Sequence, residues 1–453
     1  MNEEISEKNK TAKLQNLPEG WKWARLAEVV EESLSGEWGE DPTLNNSLYP
    51  VISTLAIDYE GNINFAELVL RKLNKRKLKK LLLRKNDILL EKSGGSSDKP
   101  AGKVALVKKP FEGTCSNFIQ IIRVKKKYSP VFVFYKMFSD FAFRKTEKFQ
   151  QKTTGIINFK INEYFSEMVP LPPLPEQQKI AEILETVDNA REKTDQIIEK
   201  YKRIKQGLMQ ELLTKGIDEN GKIRTEKTHR FKDSPLGRIP EEWEVKRLGE
   251  VISQIETGTW GDEIHTNYNN VFPIIRSTEI DEEGRFDLST VAYRSLPYKK
   301  AIKYILNIGD ILLVASSGSP DLIGRAAIIK SIPKDIKLLF SNFMLCIRSK
   351  NNIIISKFLF YILRSSLYCS FLSSFRETTT GLINFPKSEF ENFEIPLPPL
   401  PEQQRIAEIL SQIDEVIEKE TQYRDKLKRL KAGLMEDLLT GKVRVNKLIK
   451  QGA

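Results

Sequence analysis

Residues 170–184 read PLPPLPEQQKIAEIL, and residues 396–410 read PLPPLPEQQRIAEIL, so the two stretches differ at a single position. The constant offset of 226 positions indicates an internal duplication. Proline lacks an N–H and restricts the residue before it, so the proline run cannot be helical. A helix can begin at Pro175 and Glu176, because proline suits the first turn and an acid is stabilised near the positive end of the helix dipole.

Apolar residues follow both stretches at alternating steps of four and three, on a background of Glu and Lys. This period of about 3.5 residues is typical of a coiled coil. Because both copies keep the same register, we expect the two seams to pack against each other, with Thr194 and Glu420 at equivalent positions. The alternative is two unrelated helices in separate domains. The predicted seam residues are Ile183, Val187, Thr194, Ile197, Tyr201, Ile204, Leu208, Ile409, Ile413, Val416, Glu420, Tyr423, Leu427, Leu430 and Leu434.

The duplication extends over most of the chain, with an offset that drifts from 222 to 226 through small insertions in loops. The matched pairs include LPEGW at Leu17 with IPEEW at Ile239, Trp38-Gly39 with Trp260-Gly261, NDILL at Asn86 with GDILL at Gly309, Ser116-Asn117-Phe118 with Ser341-Asn342-Phe343, and TTGIINF at Thr153 with TTGLINF at Thr379.

Short runs rich in Val, Ile and Phe between Gly, Asn, Asp and Ser clusters predict strands at 49–53, 87–90, 104–107 and 118–124. A helical pattern follows in each copy. Its aromatic residues are expected in the core rather than on a base-stacking surface: Phe132, Phe134 and Tyr135, and Phe358, Phe360 and Tyr361. Each copy is therefore predicted to be a mixed α+β domain of about 150 residues followed by a long helix.

These patterns predict seven segments. They are an N-terminal arm at 1–16, a first domain at 17–169, a central helix at 170–214, a polar linker at 215–238, a second domain at 239–395, a C-terminal helix at 396–440 and a tail at 441–453.

The charge balance favours an anionic partner such as nucleic acid, because 72 Lys and Arg stand against 61 Asp and Glu, with a net charge of +11. No apolar run approaches the length of a membrane span, and the N-terminus has no signal-peptide pattern, so a cytoplasmic protein is expected. Cys115, Cys346 and Cys369 lie in apolar surroundings without metal-ligand spacing, and we expect reduced core thiols.

Catalytic motifs are scarce. His229 and His265 are the only histidines, which leaves little for His-based triads or His-rich metal sites. The Ser/Gly loops at 93–103 and 316–325 do not match the GxxxxGK[ST] phosphate-binding pattern. We therefore predict no catalytic, cofactor-binding or metal-binding residue, with a dispersed carboxylate nuclease site as the remaining alternative.

Binding features are better represented. Residues 71–85 (RKLNKRKLKKLLLRK) and, more weakly, 293–306 precede the Ser/Gly loops, where cations can neutralise phosphates and small residues let backbone N–H groups approach. The Thr-Thr-Gly turns add hydroxyl and amide groups. The alternatives are a solvated charged helix and an ordinary turn. The DNA-binding candidates are Lys75, Lys79, Ser93, Gly94, Ser96, Lys103, Lys152, Thr153, Thr154, Arg276, Lys299, Lys300, Ser316, Ser317, Ser319, Arg325, Arg376, Thr379 and Thr380.

Two non-identical domains, each followed by a near-identical PLPPLPEQQ helix, resemble the specificity (S) subunit of type I restriction–modification enzymes over essentially the whole chain. The resemblance implies two target recognition domains, each reading half of a bipartite, asymmetric DNA sequence. It also implies that the helices form an antiparallel coiled coil with pseudo-two-fold symmetry, which fixes the gap between half-sites and docks two adenine methyltransferase (M) subunits.

The same resemblance implies a non-catalytic chain without a cofactor. S-adenosylmethionine, ATP and Mg are then expected on partner subunits, including restriction (R) subunits with translocase and nuclease activity. Two alternatives remain: a specificity subunit of a type II-like restriction–modification system, and a non-enzymatic coiled-coil adaptor. Divergent basic loops on a preserved core argue against the adaptor.

Overall fold

A computed structural model of the chain describes residues 17–42, 48–95, 100–153, 156–264, 270–376 and 383–449. The chain divides into two compact units. Unit 1 comprises residues 1–196 and 421–453, and unit 2 comprises residues 197–420. Each unit therefore contains one globular part together with segments of two long helices.

The elements of unit 1 follow the predicted order of strands and helices. Its strands are β1 Lys22–Arg25, β2 Val30–Ser35, β3 Leu48–Ile52, β4 Val69–Lys72, β5 Ile88–Glu91, β6 Ser93–Gly94, β7 Val104–Leu106, β8 Thr114–Cys115, β9 Ile119–Val124, β10 Gln150–Thr153, β11 Ile156–Phe159 and β12 Met168–Leu171. Its helices are α1 Leu26–Val29, α2 Lys75–Leu81, α3 Pro130–Ala142, α4 Ile161–Phe165 and the first part of α5, Leu174–Leu212.

Four sheets organise unit 1. The central sheet has the order β2-β9-β5-β7 with antiparallel neighbours. A second sheet, β4-β3-β8, pairs β3 with β8 in parallel. Smaller sheets, β10-β11-β6 and β1-β12, join loops to this frame.

Unit 2 repeats these elements. Its strands are β13 Phe231–Ser234, β14 Gly237–Pro240, β15 Glu244–Arg247, β16 Ile252–Thr257, β17 Val271–Ile275, β18 Ala292–Ser295, β19 Ile311–Val314, β20 Ser316–Ser317, β21 Ala326–Ile328, β22 Leu339–Phe340, β23 Met344–Ser349, β24 Ile383–Asn384 and β25 Glu394–Leu397. Its helices are α6 Leu248–Val251, α7 Tyr298–Ala301, α8 Ser356–Ile362, α9 Ser366–Arg376, α10 Lys387–Asn392 and the first part of α11, Leu400–Leu438.

Four sheets of unit 2 correspond to those of unit 1. The orders β16-β23-β19-β21, β18-β17-β22 and β15-β25 reproduce β2-β9-β5-β7, β4-β3-β8 and β1-β12, and β20-β24 reproduces the β6-β11 pair of the sheet β10-β11-β6. The described part of unit 2 also contains the sheet β13-β14. The expectation of two mixed domains, each followed by a long helix, is therefore confirmed. The stretch 215–238, predicted as a polar linker, contains regular structure in its last part, where β13 and β14 form a hairpin.

Both cores are rich in aromatic side chains. Helix α3 begins at Pro130, where the Ser129 hydroxyl accepts a hydrogen bond from the N–H of Phe132. The six aromatic residues predicted for the core are all buried, which excludes them as a base-stacking surface: Phe132, Phe134, Tyr135, Phe358, Phe360 and Tyr361.

The duplicated PEQQ segment attaches each long helix to its own domain. The buried carboxylate of Glu176 accepts a hydrogen bond from the indole N–H of Trp21 at 3.1 Å and pairs with Arg444 at 2.8 Å. The amide of Gln177 accepts from the N–H of Ser129 at 2.9 Å. These contacts depend on side-chain chemistry, which explains why the motif is nearly identical in the two copies.

Unit 2 makes the same attachment with the residues of the second copy. Glu402 accepts from the indole N–H of Trp243 at 3.0 Å and pairs with Arg224. Gln403 accepts from the N–H of Ile355 at 2.9 Å. Arg444, which follows α11, thus supplies the cation for the attachment at the start of α5. Arg224, which follows α5, supplies the cation for the attachment at the start of α11.

The long helices are antiparallel within unit 1. Asp188 pairs with Lys431 at 2.7 Å, and Asp195 lies 3.9 Å from Arg424. An advance of seven residues along α5 therefore corresponds to a return of seven residues along α11. In unit 2, Asp414 pairs with Lys205 at 2.5 Å, which is the same contact with the helices exchanged.

The buried stripe of the helices differs from the predicted seam. Thr194 and Leu427 are buried as predicted, but Ile197, Ile204, Tyr423 and Leu430 are 39 to 49% exposed. The most buried positions lie mainly one residue further along: Leu184, Ile198, Lys205, Leu410, Ile417, Lys431 and Met435. The reason is that in each unit both helices also pack against the globular domain of that unit, so burial is centred between that domain and the neighbouring helix.

The cysteine prediction is correct for two residues and wrong for the third. Cys115 and Cys346 are buried, and burial raises the pKa of both thiols well above the usual range. Cys369 on α9 is exposed, because the helix turns this position away from the core.

Candidate nucleic-acid interface

Several segments that connect strands of unit 1 meet at one end of its central sheet. In its antiparallel pairing, the end of β2, the start of β9 and the end of β5 lie together. Strands β3 and β8 are parallel, so the segments that follow them leave from the same edge. Unit 2 has the same arrangement at the equivalent end of β16, β23 and β19.

A groove of about 570 Å³ lies at this end of unit 1. Its lining mixes acceptors, an amide and apolar groups, with Leu55 and Phe118 among the most exposed apolar side chains there. The lining residues are Glu37, Trp38, Gly39, Ser53, Thr54, Leu55, Ser116, Asn117 and Phe118. The amide, hydroxyl and apolar groups of such a surface can contact base edges.

The Ser-Asn-Phe turn at the centre of this end is held by its backbone. In unit 1 the N–H of Ser116 donates to Ile52 at 2.9 Å, and the carbonyl of Phe118 accepts from Lys92 at 2.8 Å. A Cβ on Gly36 would lie 2.2 Å from the carbonyl oxygen of Cys115, so only glycine fits against the strand that leads into the turn.

Unit 2 builds the same turn. The N–H of Ser341 donates to Ile275 at 2.9 Å, the carbonyl of Phe343 accepts from Ala315 at 2.8 Å, and Gly258 makes the equivalent close approach. In both units the Ser hydroxyl is buried without a hydrogen-bond partner among the described residues, whereas the Asn and Phe side chains are exposed.

A tryptophan–arginine stack borders the turn in each unit. The guanidinium of Arg71 lies 4.9 Å from the ring centre of Trp38, and that of Arg294 lies 4.6 Å from the ring centre of Trp260. Each arginine is paired with an exposed acid, Asp41 in unit 1 and Glu263 in unit 2. A stacked guanidinium with an exposed partner is well placed to exchange that partner for a phosphate.

The predicted basic segments form short helices beside the stacks. On α2, Leu78 is buried against Leu73 and Trp38, which leaves Lys75 and Lys79 exposed. On α7, Ala301 is buried in the cluster that contacts Trp260, and Lys299 and Lys300 are exposed. Both pairs of lysines are therefore free of the core and accessible to an anionic ligand.

Strand β6 of the Ser/Gly loop and strand β11, which follows the Thr-Thr-Gly sequence, are far apart in the sequence but are neighbours in the fold. Strand β6 pairs with β11, and the Ser93 hydroxyl lies 2.8 Å from the amide oxygen of Asn158. Lys152 on β10 is exposed. In unit 2, β20 pairs with β24 in the same way.

Several predicted residues of these loops remain predictions. Gly94, Ser316 and Ser317 lie on the short strands, and Ser319 is exposed. Ser96, Thr154, Thr379 and Thr380, together with the side chains of Thr153 and Arg376, lie outside the described part of the chain.

Lys103 and Arg325 are not placed as the sequence predicted. Lys103 is 7% exposed, and its ammonium group donates to the carbonyls of Thr54 at 2.7 Å and Ile57 at 2.8 Å beside the Glu91 carboxylate. The half-buried Arg325 donates to Ile280, the equivalent of Ile57, at 3.5 Å. Both cations point inward because the loop after the sheet needs donors for its buried carbonyls.

Arg276 is also engaged within the protein. Its guanidinium donates to the buried Glu279 carboxylate at 2.5 Å and to the Thr290 carbonyl at 2.8 Å. The Arg276 side chain is 40% exposed. In unit 2 it occupies the position that is equivalent to Ser53 of unit 1.

The sequence interpretation overlooked the exposed Asn and Phe of the repeated turn and the two Trp–Arg stacks. The repetition of Ser-Asn-Phe and Trp-Gly was visible, but a repeated motif is equally compatible with a core role. Only the exposure of Asn117 and Phe118, and of their counterparts, distinguishes the two readings.

No group of three or more His, Cys, Asp and Glu residues in the described part of the chain is arranged to hold a metal ion. Among the described helices, none is long and apolar enough to cross a membrane.

The chain belongs to the family of the type I restriction modification DNA specificity domain, whose model matches residues 18–203 and again 240–429. A type I restriction enzyme specificity subunit of Methanocaldococcus jannaschii, MjaVIII, is 30% identical over 444 residues, covering 95% of both chains. The StySPI specificity subunit of Salmonella potsdam is 27% identical over 409 residues, covering 88% of this chain and 82% of the relative.

Solved structures share the fold. The S subunit of a type I restriction–modification system from M. genitalium superposes with a TM-score of 0.60 at 16% identity, covering 94% of this chain and 97% of its own. A chain from a structure concerned with complex assembly and conformational transition of the type I system gives a TM-score of 0.51 at 20% identity, with 95% and 100% coverage.

Proposed function

We propose that this chain is the sequence-specific DNA-binding subunit of a type I restriction–modification complex, with each unit reading one half of a bipartite, asymmetric target. One observation carries the proposal. The same turn and the same Trp–Arg stack stand at the same sheet end in each unit, surrounded by side chains that differ. A repeated frame with different surroundings is what two unlike half-sites require.

The exposed groups suit the two kinds of contact that DNA needs. Lys75, Lys79, Lys299 and Lys300 supply cations for phosphates, which position the protein without reading sequence. The groove and the exposed turn supply amide and apolar groups for base edges.

The long helices support docking of two M subunits. Tyr423 and Leu430 in unit 1, and Ile197 and Ile204 in unit 2, are exposed apolar residues at equivalent positions on a helix surface. Exposed apolar groups of this kind favour a protein partner. The same feature offered once per unit suits two copies of one partner.

Catalysis is then a task of the partner subunits. M subunits would carry S-adenosylmethionine, and R subunits would carry ATP and Mg. This chain contributes target choice and assembly.

The test is selection of bound sequences from random duplex DNA by the full chain assembled with its M subunits. We expect one bipartite sequence with an unread gap. A complex that assembles but selects no sequence would instead indicate an adaptor. Turnover of S-adenosylmethionine by the chain without M subunits would contradict the non-catalytic role.

A further inference from the structure

We propose that the exposed Asn-Phe pair of the repeated turn, Asn117-Phe118 in unit 1 and Asn342-Phe343 in unit 2, reads one A·T base pair that the two half-sites have in common. This inference rests on the proposed function and identifies a base contact within it.

The fold does not require these side chains. The turn is closed by backbone hydrogen bonds, from Ile119 to Ser116 at 3.0 Å and from Met344 to Ser341 at 3.0 Å, which any residue type can make at the two intervening positions. Phe118 and Phe343 are each 46% exposed, and both asparagines are exposed. Packing therefore gives no reason for two exposed side chains to be the same in both copies.

The surroundings of the turn differ between the copies. Ser53 is replaced by Arg276, Leu55 by Thr278, and Lys92 by Ala315 at the equivalent positions. Differing positions suit the bases that differ between two half-sites. The identical pair, at the same sheet end, suits a feature of the DNA that does not differ.

The chemistry of the pair matches an A·T base pair. Both asparagine side chains are exposed, so the amide oxygen and N–H₂ group can reach a ligand. In the major groove adenine presents one donor and one acceptor side by side, which an asparagine amide matches, and thymine presents a methyl group, which a phenylalanine ring contacts. Neighbouring Asn and Phe side chains can thus contact the two bases of one pair.

The turn is also held in a defined position. Gly36 and Gly258 pack against the backbone beside it, and a Cβ there would lie 2.2 and 2.3 Å from carbonyl oxygens. A contact that discriminates bases needs such a rigid support, because a misplaced amide loses its paired geometry.

The experiment uses the full chain assembled with its M subunits and selects bound sequences from random duplexes. In Asn117→Ala we expect one A·T position of one half-site to lose its preference, and the other half-site to remain intact. Asn342→Ala should do the same in the other half. Affinity for the original target should fall roughly 5- to 150-fold, which corresponds to one bidentate base contact.

Phe118→Leu and Phe118→Ala are the matched pair for the ring. Leucine keeps an apolar contact and should retain the preference more strongly than alanine. A purely structural role predicts a lower melting temperature and weaker binding to every sequence, whereas base reading predicts an unchanged melting temperature and unchanged binding to unrelated DNA.

The outcomes are distinct. Wild-type half-sites without a common A·T pair, or an Asn117→Ala complex that selects the original sequence at undiminished affinity, would overturn this inference and leave the proposed function standing. A wild-type complex that selects no sequence would remove both.

Discussion

Lys103 lies just before β7 with its ammonium group turned into unit 1, where the Thr54 and Ile57 carbonyls and the Glu91 carboxylate surround it. Burial raises the pKa of Glu91, and the charge of Lys103 opposes this rise. The lysine thus compensates a buried acid, a role that its position beside a Ser/Gly loop does not reveal.

We therefore expect Lys103→Met to lower the free energy of unfolding by about 3–5 kcal/mol, the usual cost of leaving a buried charge without its partner. Lys152→Met, at an exposed position, is the control and should change stability little. Denaturant unfolding measures both. A stable Lys103→Met protein with weaker DNA binding would restore the phosphate-contact prediction.

The same variant has an expected pH dependence. Without Lys103 the pKa of Glu91 rises further, so the folded state holds its proton at pH values where the unfolded state has released it. Stability must then fall as the pH rises above the ordinary carboxyl pKa of 4.5. The difference from wild type should be smallest below that pH and grow above it, which unfolding curves across the pH range will show.

At the scale of elements, each unit contains a clamp that joins a domain to both long helices. In unit 1 the Tyr135 hydroxyl donates to Asp188 at 2.8 Å, and Lys431 donates to the same carboxylate at 2.8 Å. Burial lowers the pKa of Lys431, which the Asp188 charge opposes. Tyr361, Asp414 and Lys205 repeat the clamp in unit 2.

Lys431→Met should destabilise unit 1 by about 3–5 kcal/mol, because Asp188 is left without its cation. The double variant Lys431→Met with Asp188→Leu should recover much of that loss, since no charge remains uncompensated. Lys428→Met, on the exposed side of the same helix, is the control. A double-mutant cycle of unfolding free energies, measured in denaturant, gives the coupling between Lys431 and Asp188. Additive effects of the two substitutions would argue against the clamp.

The segment after α11 contacts both the start of α5 and the start of the first domain. Arg444 pairs with the buried Glu176 and also donates to the Glu19 carbonyl at 2.9 Å. Arg444→Met should increase hydrogen exchange in unit 1 and leave unit 2 unaffected. Lys442→Met is the exposed control, and Arg224→Met should produce the reciprocal pattern. Equal effects in both units would show that these segments do not act locally.

At the scale of the whole molecule, the repeated frame predicts modular specificity. Replacing residues 17–169 by the matching domain of a relative should change one half-site and leave the other intact. The graft must keep the residues that contact the helices, Trp21, Ser129 and Tyr135. Methylation mapping in cells reads both half-sites at once. A change in both would contradict independent reading.

Much of the architecture could be predicted because it rests on patterns along the chain. The duplication, the strand positions, the aromatic cores and the two long helices follow from local periodicity and from proline and glycine positions, and these signals act over a few residues. The candidate loops could be located approximately for the same reason, since basic residues and Ser/Gly runs are local features.

The tertiary structure alone decided which side of each element faces the protein. Lys103 and Arg325 turn inward because buried carbonyls need donors, and the helix stripe shifts because each helix packs on a domain and on a second helix at once. The exposure of the Asn117 and Phe118 side chains is likewise decided by the tertiary structure. Burial is set by contacts between residues distant in sequence, so a periodic pattern identifies an element without determining every side chain that it buries.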